Sequence, residues 1–488
     1  MCQVTFLDHG TVTVAPGTTV LEAAQLLRVP IGAPCGGHGK CGKCKVSISG
    51  QEVLACTYPV FEDICVLLPP PEEAKILTTG TQAVIKLDPA YPGFLIAIDI
   101  GTTTVVCSLL SPTGEELAVR SMTNPQAAYG ADVLSRIQWA LRKGSGPLTS
   151  AIRDGISSLI SGCCRAAGIP PETIGVISIV GNSCMQQLFL GIPVDNLAAV
   201  PFAPVITQAV IENASDYFPL CPNAKLLSLP DIDGFVGADT LGCILTAGLH
   251  LTNKTTLLVD IGTNGEMVLA HRGRLAACST AAGPALEGAG IRYGMRAAAG
   301  AIDHVFLNEE AVCCTVIGEE TAKGICGSGI VDAVAVMLEA GQLNRRGRIQ
   351  DTRELDGLRF FPLQDGVYLT QEDIRQVQLA KGAIAAGIHL LCRHFGITVG
   401  DIDRVVLAGA FGSYIDPDSA CRIDLLPREL SGKITAGGNL ALSGAKILAL
   451  DRDQLALAQS IAARVHSLSL SEDPAFPKAF AKCMEFSV

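Results

Sequence analysis

FLIAIDIGTTTVVCSLLSPTGEELA (94–118) is an apolar strand that ends on Asp99, turns through Gly101, Thr102, Thr103 and Thr104, and continues as a second strand. The same order returns about 160 residues later in TTLLVDIGTNGEMVLAHRGRLAA (255–277), where Asp260 precedes Gly262, Thr263, Asn264 and Gly265 and Glu266 opens the returning strand. Such repetition marks an internal duplication. The chemistry that fits each unit is phosphate binding. Glycine lets a ligand approach the backbone, N–H groups and threonine hydroxyls surround phosphate oxygens, and the aspartate orients hydrated Mg²⁺ or an attacking water. Two such hairpins facing one another would clamp the phosphates of ATP. Asp99, Asp260 and Glu266 are the expected catalytic carboxylates, and which aspartate serves Mg²⁺ and which serves water is open at this level.

Two further motifs follow in order. Gly327, Ser328 and Gly329, within GICGSG (324–329), open a helix, and DIDRVVLAGAFGSYID (401–416) gives a buried strand followed by Gly409, Ala410, Phe411 and Gly412, suited to close packing of an adenosine. No G-x-x-x-x-G-K-[ST] loop is present, which excludes a Walker-type ATPase. The set resembles the actin/Hsp70/sugar-kinase (ASKHA) ATPase superfamily, which implies an actin-like α/β domain over 94–488, divided at 254/255.

Upstream, Cys35, Cys41, Cys44 and Cys56 stand as C-x5-C-x2-C-x11-C in APCGGHGKCGKCKVSISGQEVLAC (33–56). Three thiols within a loop carrying Gly36, Gly37, Gly39 and Gly42 describe a wrap around a soft centre, with backbone N–H groups left for cluster sulfides. QVTFLDHGTVTVAPG reads as a hairpin turning at His9–Gly10. Thr19 and Glu22 form a capping box, opening a helix with Val20, Leu21, Ala24 and Leu27 on its apolar face. Strand, hairpin, helix and cysteine loop are the order of an α+β, β-grasp [2Fe–2S] ferredoxin domain over 1–68. A four-cysteine zinc site is the alternative, but zinc sites usually pair two short knuckles. Cys65 is expected in the core and His38 beside the cluster, facing solvent. Residues 69–93, with Pro69 to Pro71 and then Glu72 and Glu73, read as a stiff linker.

Composition narrows the partners. The 488 residues carry 36 Lys+Arg against 47 Asp+Glu, a net charge of −11, which argues against nucleic acid or an anionic membrane. No apolar run approaches the ~18–20 residues of a spanning helix, and MCQVTFLDHG lacks the basic and apolar regions of a signal peptide. A cytoplasmic protein is expected, so most of the 19 cysteines, including Cys163–Cys164, Cys313–Cys314 and Cys326, are read as buried thiols.

NPQAAYGADVLSRI (124–137), GNSCMQQLFLGI (181–192), GFVGADTLGCILTAG (234–248), ACSTAAGPALEGAGIRYGMRAAAGAID (277–303) and LTQEDIRQVQLAKGAIAAGIHLL (369–391) resemble the reductive activators of corrinoid proteins. That family joins a [2Fe–2S] domain to an ASKHA ATPase domain. The resemblance implies ATP- and Mg²⁺-dependent reduction of a Co(II) corrinoid partner to Co(I), a low-potential electron donor, and a homodimer as a possible assembly. Longer relatives carry an extra segment between the halves that this chain lacks, and GGNLALSGAKI (437–447) departs from the family pattern. Two other readings fit parts of the sequence: an ATP-gated donor to another low-potential enzyme, like the activators of 2-hydroxyacyl-CoA dehydratases, and a small-metabolite kinase.

Overall fold

The computed structural model describes residues 1–69 and 93–488, except 8, 28, 30, 32, 34–36, 38, 40, 41, 43, 310, 319, 351–353, 356 and 488 and the side chains of 354, 355, 358, 410 and 411. Cys35, Cys41, His38 and nearly all of the expected linker lie outside the described residues.

In the N-terminal segment, β1 (Cys2–Phe6), β2 (Gly10–Val14), β3 (Lys45–Ile48), β4 (Gln51–Leu54) and β5 (Ile64–Leu67) form one mixed sheet in the order β2-β1-β5-β3-β4. Alternation along the strands buries Val4, Phe6, Val14, Val46, Ile48 and Val66. Thr19 caps α1 (Val20–Leu26): Glu22 N donates to Thr19 Oγ1 at 3.2 Å and Thr19 N to Glu22 Oε2 at 2.9 Å. Such caps stabilise a helix by ~1 kcal/mol. Val20, Leu21, Ala23 and Ala24 are the buried face of α1, and Leu27 is half-buried at its cap. Cys65, expected inside, is exposed, because Val66 takes the inner face of β5 and alternation sends its neighbour outward.

The chain divides into two units, the first extending to Ser228 and the second carrying Leu229–Val488. Beyond the N-terminal sheet, the first unit contains β6 (Phe94–Ile100), β7 (Thr104–Leu110), β8 (Glu116–Thr123), β9 (Ile174–Gly181), β10 (Val210–Asn213) and β11 (Lys225–Ser228), ordered β10-β11-β9-β6-β7-β8. Strands β6 to β8 are an antiparallel meander, and β9 and β11 add in parallel. Both faces of β6 are covered, so Leu95 to Ile98 are buried in succession. Helices α2 (Val133–Lys143), α3 (Gly146–Ala167) and α4 (Ser183–Leu190) supply the packing partners, with Ile152, Ile156 and Ile160 of α3 facing the sheet core.

The second unit opens with α5 (Ala238–Ala247) and repeats the plan. Its large sheet contains β12 (Thr256–Ile261), β13 (Gly265–His271) and β14 (Arg274–Thr280) as a meander. Next come β15 (Ala301–Asn308), β16 (Ala311–Val316) and β17 (Gly324–Ile325) in one three-stranded sheet, and β18 (Glu354–Leu355), β19 (Leu358–Pro362) and β20 (Tyr368–Thr370) in another. β21 (Arg404–Ala408) and β22 (Ile434–Gly438) then join β12 in parallel, and β23 (Val465–Ser467) edges the sheet at β14. The orders β8-β7-β6-β9-β11 and β14-β13-β12-β21-β22 match strand for strand, which is the duplication expected from the two quoted stretches. Helices α6 (Gly327–Glu339) and α7 (Gln371–Phe395) pack on β15 and on the meander. The short α8 (Gly409–Tyr414) and α9 (Pro417–Arg422) precede α10 (Leu440–Leu450), which meets α5 at two glycines, where a Cβ on Gly444 would lie 2.4 Å from Gly242 Cα. Cys313 and Cys314, expected to be buried, are half-exposed on β16. Among the described residues no helix is long and apolar enough to cross a membrane.

Candidate functional site

In the N-terminal sheet domain, Cys44 and Cys56 are buried and unbridged, with their Sγ atoms 3.2 Å apart. Ala55 N donates to Cys44 O at 2.8 Å, which fixes the two segments side by side. Gly37, Gly39 and Gly42 adopt φ of 83°, 70° and 64°. A side chain at Gly39 would also lie 2.9 Å from Thr57 Cγ2. Adjacent buried thiols beside left-handed glycine turns fit a thiolate-held iron–sulfur centre.

In the first hairpin the Gly-Thr turn is tied down from behind. Gly101 N donates to Thr104 O at 2.9 Å, and a Cβ at Gly101 would lie 2.7 Å from that oxygen. Asn124 Nδ2 donates to Gly101 O at 2.8 Å, Arg136 Nη2 to Thr102 O at 2.6 Å, and Asn124 N to Thr103 O at 2.9 Å. In a trans peptide the N–H points away from the preceding carbonyl, so binding these carbonyls to the protein turns the N–H groups of Thr102 and Thr103 the other way. Asn182 Nδ2 donates to Thr102 Oγ1 at 3.0 Å. Asp99 stands opposite Val106 on β7 and Val180 on β9.

The second hairpin repeats the turn, with Gly262 N donating to Asn264 O at 2.9 Å, but not the chemistry. Asp260 faces Glu266 across β12 and β13, where the first hairpin has Val106. Ser279 Oγ donates to Glu266 Oε1 at 3.2 Å and Cys243 Sγ lies 3.8 Å from Asp260 Oδ2. Asp239, in the first turn of α5, completes the cluster. Burial, then the charges of Asp239 and Asp260, push Glu266 well above the ordinary carboxylate range. Burial pushes Asp239 up to about 6, against the opposing bonds from Thr240. Carboxyls crowded this way favour a proton, and among the described residues no three acidic, histidine or cysteine side chains converge closely enough to hold a metal ion by themselves. At the turn itself Glu287 Oε2 accepts from Thr263 Oγ1 at 3.1 Å.

Of the remaining expected residues, Gly409 belongs to the carboxylate cluster. Its φ is +80°, and a Cβ there would sit 2.4 Å from Asp260 Oδ1. Gly409→Ala should therefore displace the Asp260 carboxylate and lower ATP turnover on the order of 10²-fold; steady-state phosphate release measures it, with iron–sulfur absorption as the unaffected control. Gly412 packs on Leu407, while the side chains of Ala410 and Phe411 lie outside the described residues. Gly265 packs on Ile384 of α7. At the start of α6, Ser328 Oγ donates to Asp303 O at 2.8 Å and a Cβ on Gly329 would lie 2.5 Å from Ile302 O, so Gly327–Gly329 seat the helix on β15.

Sequence reading missed Asp239, Glu287, Asn124 and Arg136. The signal available was their place inside the quoted stretches 124–137, 234–248 and 277–303.

Comparison with known proteins matches three stretches of the chain. Residues 6–63 match the 2Fe-2S iron-sulfur cluster binding domain, 94–252 the RACo middle region, and 254–488 the C-terminal domain of RACo, the ASKHA domain. The chain is 30% identical to the corrinoid activation enzyme RamQ of Eubacterium limosum, over 96% of each. It is 26% identical to the [Co(II) methylated amine-specific corrinoid protein] reductase of Methanosarcina barkeri, over 74% of this chain and 70% of that one. A solved structure of a reductive activator for corrinoid, iron-sulfur protein superposes with a TM-score of 0.75 at 27% identity, covering 100% of this chain and 98% of that one.

Proposed function

Because the chain belongs to the family of reductive activators of corrinoid proteins, we propose that it uses ATP to pass one electron to a Co(II) corrinoid protein, giving the Co(I) form that accepts a methyl group. The observation that carries this reading is the kinship with an activation enzyme over 96% of both chains, iron–sulfur and ATPase domains included. Cys35, Cys41, Cys44 and Cys56 hold the cluster. When bound, a [2Fe–2S] centre supplies one-electron transfer, plant-type centres lying near roughly −400 mV.

Uphill transfer requires work of ~2.3 kcal/mol per electron for each 100 mV. In our reading the two hairpins bind the phosphates of ATP, Gly101–Thr104 through outward N–H groups and Gly262–Asn264 through the turn beside Glu287. The carboxylate asymmetry of the repeat gives the second hairpin the chemistry. Asp260 and Glu266 would orient, through water, the Mg²⁺ that ATP brings with its phosphates, and Asp239 would take the proton of the attacking water. Asp99, which faces Val106 across the hairpin, serves phosphate placement instead. Gly409–Gly412 lies against the nucleoside, and Gly327–Gly329 keeps α6 in place behind it. ATP binding changes affinity for one redox state of the partner, and hydrolysis resets it. A low-potential reductant recharges the cluster; a cytoplasmic location and a homodimeric assembly complete the proposal.

The test is anaerobic visible spectroscopy of a Co(II) corrinoid protein with this chain and a low-potential reductant. A Co(I) spectrum is expected with ATP and not without it. Equal Co(I) formation in both arms would overturn the role of ATP, and none in either arm, with cluster absorption intact, would overturn the corrinoid reading.

A further inference from the structure

The shell that ties down the first Gly-Thr turn continues away from it. Asn124, Gln126 and Arg136 are each 0% exposed. Asn124 caps the 3-10 turn Pro125–Ala128 by accepting from Gln126 N at 2.9 Å. Arg136, whose Nη2 holds Thr102 O, also donates through Nη1 to Gln126 Oε1 at 3.3 Å and through Nε to Gly130 O at 2.9 Å. One buried guanidinium thus grips both the phosphate turn and the 3-10 turn. At the far end of the latter, Ala128 O accepts from Gln25 Nε2 at 2.8 Å. Gln25 belongs to α1 of the iron–sulfur domain, 103 residues away in sequence. The first turn of α1 is in turn bound beside a cluster cysteine, since Leu21 N donates to Ala55 O at 2.9 Å, next to Cys56.

We propose that the turn Pro125–Ala128 is the seat on which this chain's own iron–sulfur domain docks, and that nucleotide at Gly101–Thr104 holds the domain there through Asn124 and Arg136. The inference rests on the proposed phosphate role of that turn. When phosphate oxygens accept from the N–H groups of Thr102 and Thr103, the peptides polarise and the bonds that Asn124 and Arg136 make to their carbonyls strengthen. The seat is then firmest with ATP bound and loosens once it leaves. A single uncharged hydrogen bond biases an equilibrium by about tenfold, so docking through Gln25 is shallow enough for a nucleotide to shift. The occupant is fixed by the chain itself: α1 already sits on the seat, and the Pro-containing segment 69–93 joins the two domains.

The single tryptophan of the chain reports the state of the seat. Trp139 lies on α2 with Arg136, and its ring packs edge-on against Tyr129, one residue past Ala128, at 4.7 Å between centroids. The experiment follows Trp139 emission of the cluster-loaded full chain during titration with a non-hydrolysable ATP analogue, with binding measured separately by calorimetry. Wild type should bind the analogue and change its emission in step. Gln25→Ala, checked by circular dichroism and cluster absorption, should still bind it, weakened by no more than about tenfold because coupling between two sites is reciprocal, and lose most of the emission change. An undiminished change in Gln25→Ala, or a silent Trp139 in wild type that binds the analogue, would overturn the docking inference and leave the phosphate reading standing. Absence of binding would overturn both.

Discussion

Cys56→Ala should bleach the iron–sulfur absorption of the chain and abolish Co(I) formation, while ATP turnover stays within about twofold of wild type. The expectation follows from placement. The Cys56 thiol is buried 3.2 Å from that of Cys44, in the turn that follows β4 of the N-terminal domain, remote in sequence from both Gly-Thr turns. Alanine removes one of four ligands and offers no donor in return. It also deletes just one sulfur from a core otherwise held by Val20, Leu21, Ala24 and Val60, so the domain should still fold. Retained absorption would show that Cys56 is not a ligand. Retained Co(I) formation after bleaching would show that electrons reach the corrinoid without the cluster.

Asp239→Asn should reduce ATP turnover on the order of 10²- to 10⁴-fold, the span of a general base, and at the same time raise the melting temperature of the chain by a few degrees. The two effects share one cause. Burial raises the Asp239 carboxyl from 3.8 to about 6. A carboxyl raised on folding contributes stability that is complete below 3.8 and lost as pH rises through 6, so near neutral pH the folded chain carries an unfavourable charge there. At full burial that charge is worth up to ~3 kcal/mol, and less here because the side chain is partly exposed. Asparagine keeps the oxygen that accepts from Thr240 N at 2.7 Å and removes the charge. The pH profile separates this from general damage: wild-type turnover should fall as pH drops through about 6, and the residual turnover of the variant should not follow that limb. A variant that is both active and unchanged in melting would refute the assignment. The gain should vanish below pH 3.8 if both forms remain folded there, since wild type is then neutral as well.

Sequence was most informative where one element carries the whole signal. The apolar strands β6 and β12 end on Asp and Gly because buried parallel strands need continuous apolar runs and the turn needs glycine, and both facts are local. Cysteine spacing is local too, and it named Cys44 and Cys56, which the fold brings together. Asp239 was illegible because an acid in the first turn of a helix reads as a cap. Its significance lies in Asp260 and Glu266, which reach it from another strand pair. Arg136 was illegible for a different reason: a charged residue on an amphipathic helix is normally solvated, and this one is fully buried because Thr102 O, Gly130 O and Gln126 accept from it. Cys65 shows the limit of reading burial from residue type, since strand parity overrode its preference for the core.

The meeting of α5 and α10 has a mechanical meaning. Where Gly242 and Gly444 face each other, the helices touch backbone to backbone, with no room for a side chain on Gly444. Most helix pairs lock by setting ridges of side chains into grooves, and sliding them means lifting every tooth over the next. This crossing is held instead by close backbone approach and by one bond, Thr246 Oγ1 donating to Leu440 O at 3.0 Å. Asp239 stands in the first turn of α5, and α10 follows its cap Asn439. A side chain on Gly444 would therefore push α5 away from α10 and carry Asp239 off Glu266.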